Sequence, residues 1–127
     1  MDARFRHGLL IAMLLGPPST LAAQSTDSLP PGVTAAMVAK GKKIFGGAGL
    51  CLACHGPKGE GALGPNLTDT TWLHHDGSFS ALVKQITEGI DEKVSKTGQV
   101  MPPRGGSSLN DEDVKAVAAY VWTLSRH

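Results

Sequence analysis

Two cysteines and a histidine within residues 51–55 provide the clearest chemistry in this 127-residue sequence. Cys51 and Cys54 are separated by two residues, and His55 follows the second cysteine directly. Thiols at this spacing can add across the two vinyl groups of a haem and form thioethers, while the adjacent imidazole can bind the iron. The motif therefore predicts one covalently attached haem c, with Cys51 and Cys54 holding the porphyrin and His55 as the proximal iron ligand.

Other uses of a Cys-X-X-Cys pair fit less well. A redox dithiol favours a strand–helix setting, which the sequence does not indicate. Zinc usually takes four ligands, and the two cysteines would need two further ligands from histidines whose spacing is not suggestive. A disulfide is reasonable in an exported protein, but it gives His55 no role. These alternatives stay open beside the haem interpretation.

A sixth iron ligand has its best candidate in Met101. A thioether is a soft, neutral ligand that favours ferrous iron, and the two prolines that follow Met101 stiffen its loop. The alternative is a methionine that fills the core, which suits Met37 on a helical stripe. His74 or His75 could instead give bis-histidine iron, although two exposed histidines in a loop are the simpler interpretation of this pair.

Three further residues are candidates for supporting a haem. Pro65 lies ten residues after His55, so its carbonyl could accept the second ring N–H of that histidine, or the proline could simply shape a turn. The indole N–H of Trp72 could reach a haem propionate, or the ring could pack in the core. Arg104 could neutralise a propionate, or lie solvated at the surface.

The elements that would position these side chains are helices. Thr34 can cap a helix that ends at the glycines before the motif, and a second helix begins near Ser78. Asn110 caps a last helix whose acidic first turn suits the positive helix N-terminus. Residues 68–72 are expected to form a short helical turn. Because no stretch alternates at period two, the sequence predicts an all-α fold without a sheet.

The N-terminal segment has the order of a secretory signal peptide. Arg4 and Arg6 precede an apolar run over residues 9–15, and small residues follow up to Ala23. That run is far shorter than the ~20 residues that span a bilayer. We expect residues 1–23 to be removed after export to the periplasm, leaving no membrane anchor.

The remaining chain is expected to be a flexible leader over residues 24–33 and one domain over residues 34–127. Hydrophobic residues make up 41% of the sequence but aromatic residues only 5%, so a haem would fill core volume that large rings leave empty. The net charge of +1 and the absence of a basic run exclude a nucleic-acid partner.

The combined pattern resembles the class I cytochromes c, in particular the small bacterial monohaem kind. The resemblance covers residues 34–126 and rests on motifs in a fixed order: Gly-Lys-Lys-Ile-Phe at 41–45, Cys-Leu-Ala-Cys-His at 51–55, Gly-Pro-Asn-Leu at 64–67, Met-Pro-Pro at 101–103 and the terminal helix. The stretch over residues 66–72 and the ending are similar to the haem domains of cbb3-type oxidase subunits.

The resemblance implies three to five helices around a covalently bound haem, with the first and last helices crossing. Gly41 would allow close approach at that crossing, with Phe45 and Tyr120 beside it. The resemblance also implies that the carbonyl of Pro65 accepts a hydrogen bond from His55 and that Met101 is the distal iron ligand. No family pattern covers residues 74–77, so propionate contacts there stay unassigned.

The expected function is that of a monomeric, periplasmic, one-electron carrier that meets its redox partners transiently and is not an enzyme. Leu50, Ala53, Ala62 and Pro102 are candidates for a small apolar docking patch. One alternative is a haem-bearing subunit of a larger dehydrogenase or oxidase complex. Another is a ligand-binding or peroxidatic haem protein in which Met101 is labile.

Overall fold

The computed structural model of the protein describes residue 16 and residues 29–126. Apart from residue 16, the signal peptide expected at residues 1–23 lies outside the described residues, as do residues 24–28 of the leader, and both stay predictions. Val33, at the end of that leader, is buried, and its N–H donates to the carbonyl of Pro30 over 3.0 Å.

Four α-helices and one short 3₁₀ segment form the described domain. The helices are α1 (Ala35–Phe45), α2 (Leu52–His55), α3 (Phe79–Glu88) and α4 (Asp111–Leu124), and the 3₁₀ segment is Pro103–Gly106. Between residues 29 and 126 the only extended pairing is a single bridge between Ile90 and Met101. The all-α prediction of three to five helices is therefore confirmed.

The three longer helices begin where the sequence indicates. The side chains of Thr34, Ser78 and Asn110 each accept a hydrogen bond from a backbone N–H of the first turn, over 3.2, 3.3 and 2.9 Å. These caps satisfy donors that otherwise have no partner inside the helix. The expected helical turn over residues 68–72 is wrong: Asn66 and Asp69 accept from backbone N–H groups two residues ahead and hold this stretch in bends.

The first and last helices cross as expected, and the crossing depends on one glycine. A Cβ atom on Gly41 would overlap the carbonyl group of Ala116 and lie 2.9 Å from Cβ of Tyr120. Beside this contact the rings of Phe45 and Tyr120 pack edge to face with centroids 5.4 Å apart. The absence of a side chain at Gly41 thus lets α1 approach the backbone of α4.

The hydrophobic core lies along α4, and part of this core borders a cleft. Four residues of α4 at helical spacing are at least 95% buried: Val114, Val117, Ala118 and Val121. Phe45 from α1 and Leu82 and Ile86 from α3 pack against this stripe. Because Phe45, Val117 and Val121 also line the cleft, the core and the cleft share one apolar wall.

Candidate functional site

The Cys-X-X-Cys-His motif lies at the mouth of a large apolar cleft. Cys51 immediately precedes α2 and His55 ends it, so one helical turn brings the two cysteines and the histidine to the same side. All three are half-buried and line the cleft. The cleft contains about 1160 Å³ of space not filled by protein atoms, part of which is open to solvent.

The lining of this cleft comes from almost every part of the described chain. The apolar wall consists of Phe45, Leu67, Trp72, Leu82, Ile86, Leu109, Val117 and Val121. Met101 and Pro65 also line it, so these two residues meet the two cysteines and His55 at this one cavity. Its size and apolar character suit a bulky, flat, mostly hydrophobic ligand.

The orientation of His55 is set by Pro65. The Nδ1 atom of His55 lies 2.9 Å from the Pro65 carbonyl oxygen. Because a carbonyl only accepts, Nδ1 carries the hydrogen and Nε2 keeps its lone pair for a metal ion. Gly64 is pressed close to the same ring, since a Cβ there would lie 3.0 Å from Cε1 of His55.

The placement of Met101 depends on the end of α3. Its N–H donates to the carbonyl of Ile90 over 3.0 Å, and its carbonyl accepts from the N–H of Ile90 over 2.7 Å. Gly89 has φ +72°, and a Cβ there would overlap the Met101 carbonyl oxygen. The Met101 sulfur lies 3.8 Å from Nε2 of Gln85, a contact that the sequence reasoning missed.

The state of Cys51 disfavours thiolate chemistry at the motif. Burial raises the pKa of the Cys51 thiol to about 11, and its Sγ donates to the Gly49 carbonyl over 3.4 Å. Dithiol exchange uses the thiolate, so the raised pKa of the Cys51 thiol disfavours it. Within residues 29–126 no three His, Cys, Asp or Glu side chains are grouped to hold a metal ion.

Each of the two adjacent histidines accepts a hydrogen bond from a backbone N–H with one ring nitrogen. His74 lines the cleft, but its Nε2 accepts from the backbone N–H of Lys96 over 3.4 Å. His75 stacks on Trp72 with centroids 5.0 Å apart, and its Nδ1 accepts from the N–H of Gly77 over 2.9 Å. Burial lowers the pKa of His75, which Asp76 partly offsets.

Arg104 is bound to the protein rather than solvated. Its guanidinium donates to the Leu109 carbonyl over 2.7 Å and pairs with Asp111 over 2.6 Å. The guanidinium holds the pKa of the Asp111 carboxyl below its usual value. The ion pair between Arg104 and Asp111 connects the segment after Met101 to the start of α4. Arg104 also lines the cleft.

Most of the described chain matches a known family. Residues 36–121 match the model of cytochrome c oxidase, cbb3-type, subunit III, and the chain therefore belongs to this family of c-type cytochrome domains. A domain of this class implies a covalently bound haem c, which agrees with the cysteines, the oriented imidazole and the apolar cleft described above.

Curated relatives are subunits of cbb3-type oxidases. The chain is 40% identical over 89 residues to subunit CcoP of Rubrivivax gelatinosus, covering 69% of this chain and 26% of that protein. It is 37% identical over 98 residues to subunit FixP of Bradyrhizobium diazoefficiens, covering 75% and 33%. The chain thus spans about a quarter to a third of the length of these relatives.

Solved structures share the fold. Cytochrome cL of Methylophaga aminisulfidivorans aligns with a TM-score of 0.56 at 24% identity, over 70% of this chain and 53% of that one. Cytochrome cL of Hyphomicrobium denitrificans aligns with a TM-score of 0.54 at 27% identity, over 67% and 45%. The expected likeness to class I cytochromes c is therefore confirmed. Over residues 29–126, no helix combines the length and the apolar character that crossing a membrane requires.

Proposed function

We propose that the protein is an exported, periplasmic electron carrier with a single haem c, bound through Cys51 and Cys54. His55 and Met101 would bind its iron. A bound haem c supplies an iron that alternates between the ferric and ferrous states and so carries one electron. The observation that carries the proposal is the shared cleft, in which an imidazole with a free Nε2, a thioether and two thiols meet.

The chain's own residues have three tasks in this function. Pro65 holds the proton on Nδ1 of His55 and keeps the ring from turning. Ile90 holds the backbone of Met101 at the cleft. The apolar wall would limit the access of water to a bound haem, and with His55 and Met101 both on the iron no ligand position would be left for a substrate. The protein therefore performs electron transfer and no chemistry on a substrate.

Electron exchange requires the cleft to approach a partner closely, and apolar side chains surround its mouth. Leu50 is 52% exposed and Leu63 is 69% exposed, and both line the cleft. Pro102 lines it too and is exposed, as are Ala53 and Ala62. A small apolar rim of this kind suits the brief, weak encounters of a monomeric carrier with its redox partners.

The carrier proposal is tested by spectroscopy on protein made in a host with haem-maturation machinery. We expect one haem per chain that survives denaturation, a sulfur–iron charge-transfer band in the oxidised state, and slow carbon monoxide binding in the reduced state. Cys51→Ser with Cys54→Ser should abolish covalent haem. Rapid carbon monoxide binding would favour the ligand-binding or peroxidatic alternative, in which Met101 is labile.

A second candidate function is a subunit of a larger oxidase or dehydrogenase complex. It is favoured by the curated relatives, which are named as oxidase subunits and are much longer than the matched region. Purification from the native host with a C-terminal tag separates the two. A carrier elutes as a monomer, whereas a subunit elutes with a constant set of partners that survives high salt.

A further inference from the structure

One polar side chain interrupts the cleft-facing side of α3. Leu82, Gln85 and Ile86 occupy consecutive positions of that face, and all three line the cleft. Leu82 and Ile86 are buried, and Gln85 is half-buried between them. An aliphatic residue would close an apolar cavity at this position without a cost in hydration, whereas a half-buried amide loses part of its hydration.

The Gln85 amide compensates for that loss at the sulfur of Met101. Its Nε2 lies 3.8 Å from Sδ. A thioether sulfur can only accept, whereas the amide oxygen is itself an acceptor and would repel it, so the NH₂ end faces the sulfur. Methionine has three rotatable bonds, and the bridge to Ile90 fixes only its backbone. The contact with Gln85 restrains the sulfur itself.

We propose that Gln85 is a positioning residue for the Met101 ligand and raises the midpoint potential of the bound haem. The inference deepens the proposed function and rests on Met101 as the axial ligand. Donation from the amide draws electron density from the sulfur, which weakens its support of ferric iron. The positive end of the N–H dipole also faces the site and disfavours the additional charge of the ferric state.

The test is Gln85→Leu in the holoprotein, because leucine has a similar size and an equally good helix propensity. A single hydrogen bond of ordinary strength predicts that the equilibrium constant for reduction falls about fivefold, which is roughly 40 mV for a one-electron couple. The sulfur–iron charge-transfer band should shift but remain. Its persistence shows that Met101 is still bound and that the cleft has not collapsed.

The matched control is Gln99→Leu. Gln99 lines the same cleft, is exposed, and has no side-chain hydrogen bond within residues 29–126. This change removes an amide from the cleft lining without touching the sulfur, so it should keep the band in place and lower the potential much less than Gln85→Leu does. Gln85→Asn provides a second variant, since it keeps the amide but shortens its reach and should give a partial fall in potential.

The results distinguish this inference from the proposed function. If the wild type shows no sulfur–iron band, the axial role of Met101 fails, and the Gln85 inference fails with it. If the wild type shows the band but Gln85→Leu matches Gln99→Leu in potential and band position, only the Gln85 inference is overturned. A clearly larger fall in potential in the Gln85 variants than in Gln99→Leu, with the band retained, supports it.

Discussion

The backbones of Ile90 and Met101 exchange two hydrogen bonds, of 2.7 and 3.0 Å, just beyond the end of α3. These bonds attach the candidate distal ligand to a packed helix, although the ten residues of a mostly exposed loop separate Ile90 from Met101 in sequence. The prolines after Met101 keep it out of a helix, but they do not determine which part of the fold it meets. That choice is made by the bridge and by Gly89, whose missing side chain admits the Met101 carbonyl.

Gly89→Ala should therefore displace Met101. The new Cβ would lie 2.7 Å from the backbone nitrogen of Pro103, in addition to its overlap with Met101. The backbone of Gly89, at φ +72° and ψ −168°, is also in a region essentially limited to glycine, which costs another residue ~1–3 kcal/mol. We expect loss or weakening of the sulfur–iron charge-transfer band in oxidised holoprotein and faster carbon monoxide binding in reduced holoprotein.

Gly98→Ala is the control for this change. Gly98 also has φ +72°, but a Cβ there has no atom within 4 Å. Gly98→Ala should lower the free energy of unfolding only by the conformational strain of ~1 kcal/mol. The charge-transfer band and the rate of carbon monoxide binding should stay unchanged. Equal effects of the two variants on the band would contradict a specific role for the contact between Gly89 and Met101.

Local sequence signals predicted much of this architecture. Thr34, Ser78 and Asn110 were identifiable as caps because a cap bonds to its own helix, only three residues ahead. The His55–Pro65 contact was also accessible, since its two residues are near in sequence and the family motif covers both.

The contacts that reach across the fold were not accessible in this way. Gln85 and Met101 are sixteen residues apart, and no periodic pattern links an amide on one helix to a sulfur in a distant loop. The one available signal for this contact was the polar Gln85, three positions after Leu82 on the apolar face of α3. The wrong helical prediction over residues 68–72 has a local cause. Asp69 accepts from the N–H of Thr71, and side chains of this kind compete with a helix for backbone N–H groups.

The helix crossing gives a prediction about stability. Gly41→Ala would ordinarily favour a helix, by about 1 kcal/mol, but its Cβ would overlap the backbone of Ala116. Because that backbone is held inside α4, α1 must move away, and we expect a net loss of about 2 kcal/mol in the free energy of unfolding of the holoprotein by chemical denaturation. Phe45 would move with α1 and disturb the cleft wall.

Gly46→Ala is the matched change in the same segment. Gly46 has φ −81°, and the nearest atom to a Cβ there is 3.7 Å away, an ordinary contact distance. Its free energy of unfolding should stay within about 0.5 kcal/mol of the wild type. If both alanines proved equally tolerated, close approach at the crossing would not be what requires glycine at position 41.

The proximal side of the site gives a further prediction. Gly64→Ala would place a Cβ 3.1 Å from Nδ1 of His55, tight enough to push the ring and lengthen its bond to the Pro65 carbonyl. A weaker bond makes the imidazole a poorer donor to ferric iron, so the midpoint potential should rise. Pro65→Ala keeps the carbonyl and should shift the potential less, as measured by redox titration. A larger shift in Pro65→Ala would show that ring crowding is not the controlling factor.

The His75 imidazole predicts a pH dependence of stability. Burial lowers its pKa below the usual value of 6.5, so in the window beneath that value the unfolded chain binds more protons than the folded one. Stability contributed by the neutral ring is complete above this window and is lost as the pH falls from about 6.5 through the lower folded pKa. Protonation would also cost the Nδ1 contact that accepts the N–H of Gly77.

Two variants remove this titration in different ways. His75→Asn offers an oxygen to the N–H of Gly77 but loses the stack, whereas His75→Phe keeps a ring on Trp72 but loses the acceptor. Their absolute stabilities should differ, yet both should lose less stability than the wild type between about pH 8 and about pH 5. Chemical denaturation of the holoproteins at both pH values measures this, and the contributions of groups distant from His75 cancel in the difference. Asp76 and His74 interact electrostatically with His75, so the difference includes that coupling. A stability difference between wild type and variants that is the same at both pH values would mean that His75 does not titrate on unfolding.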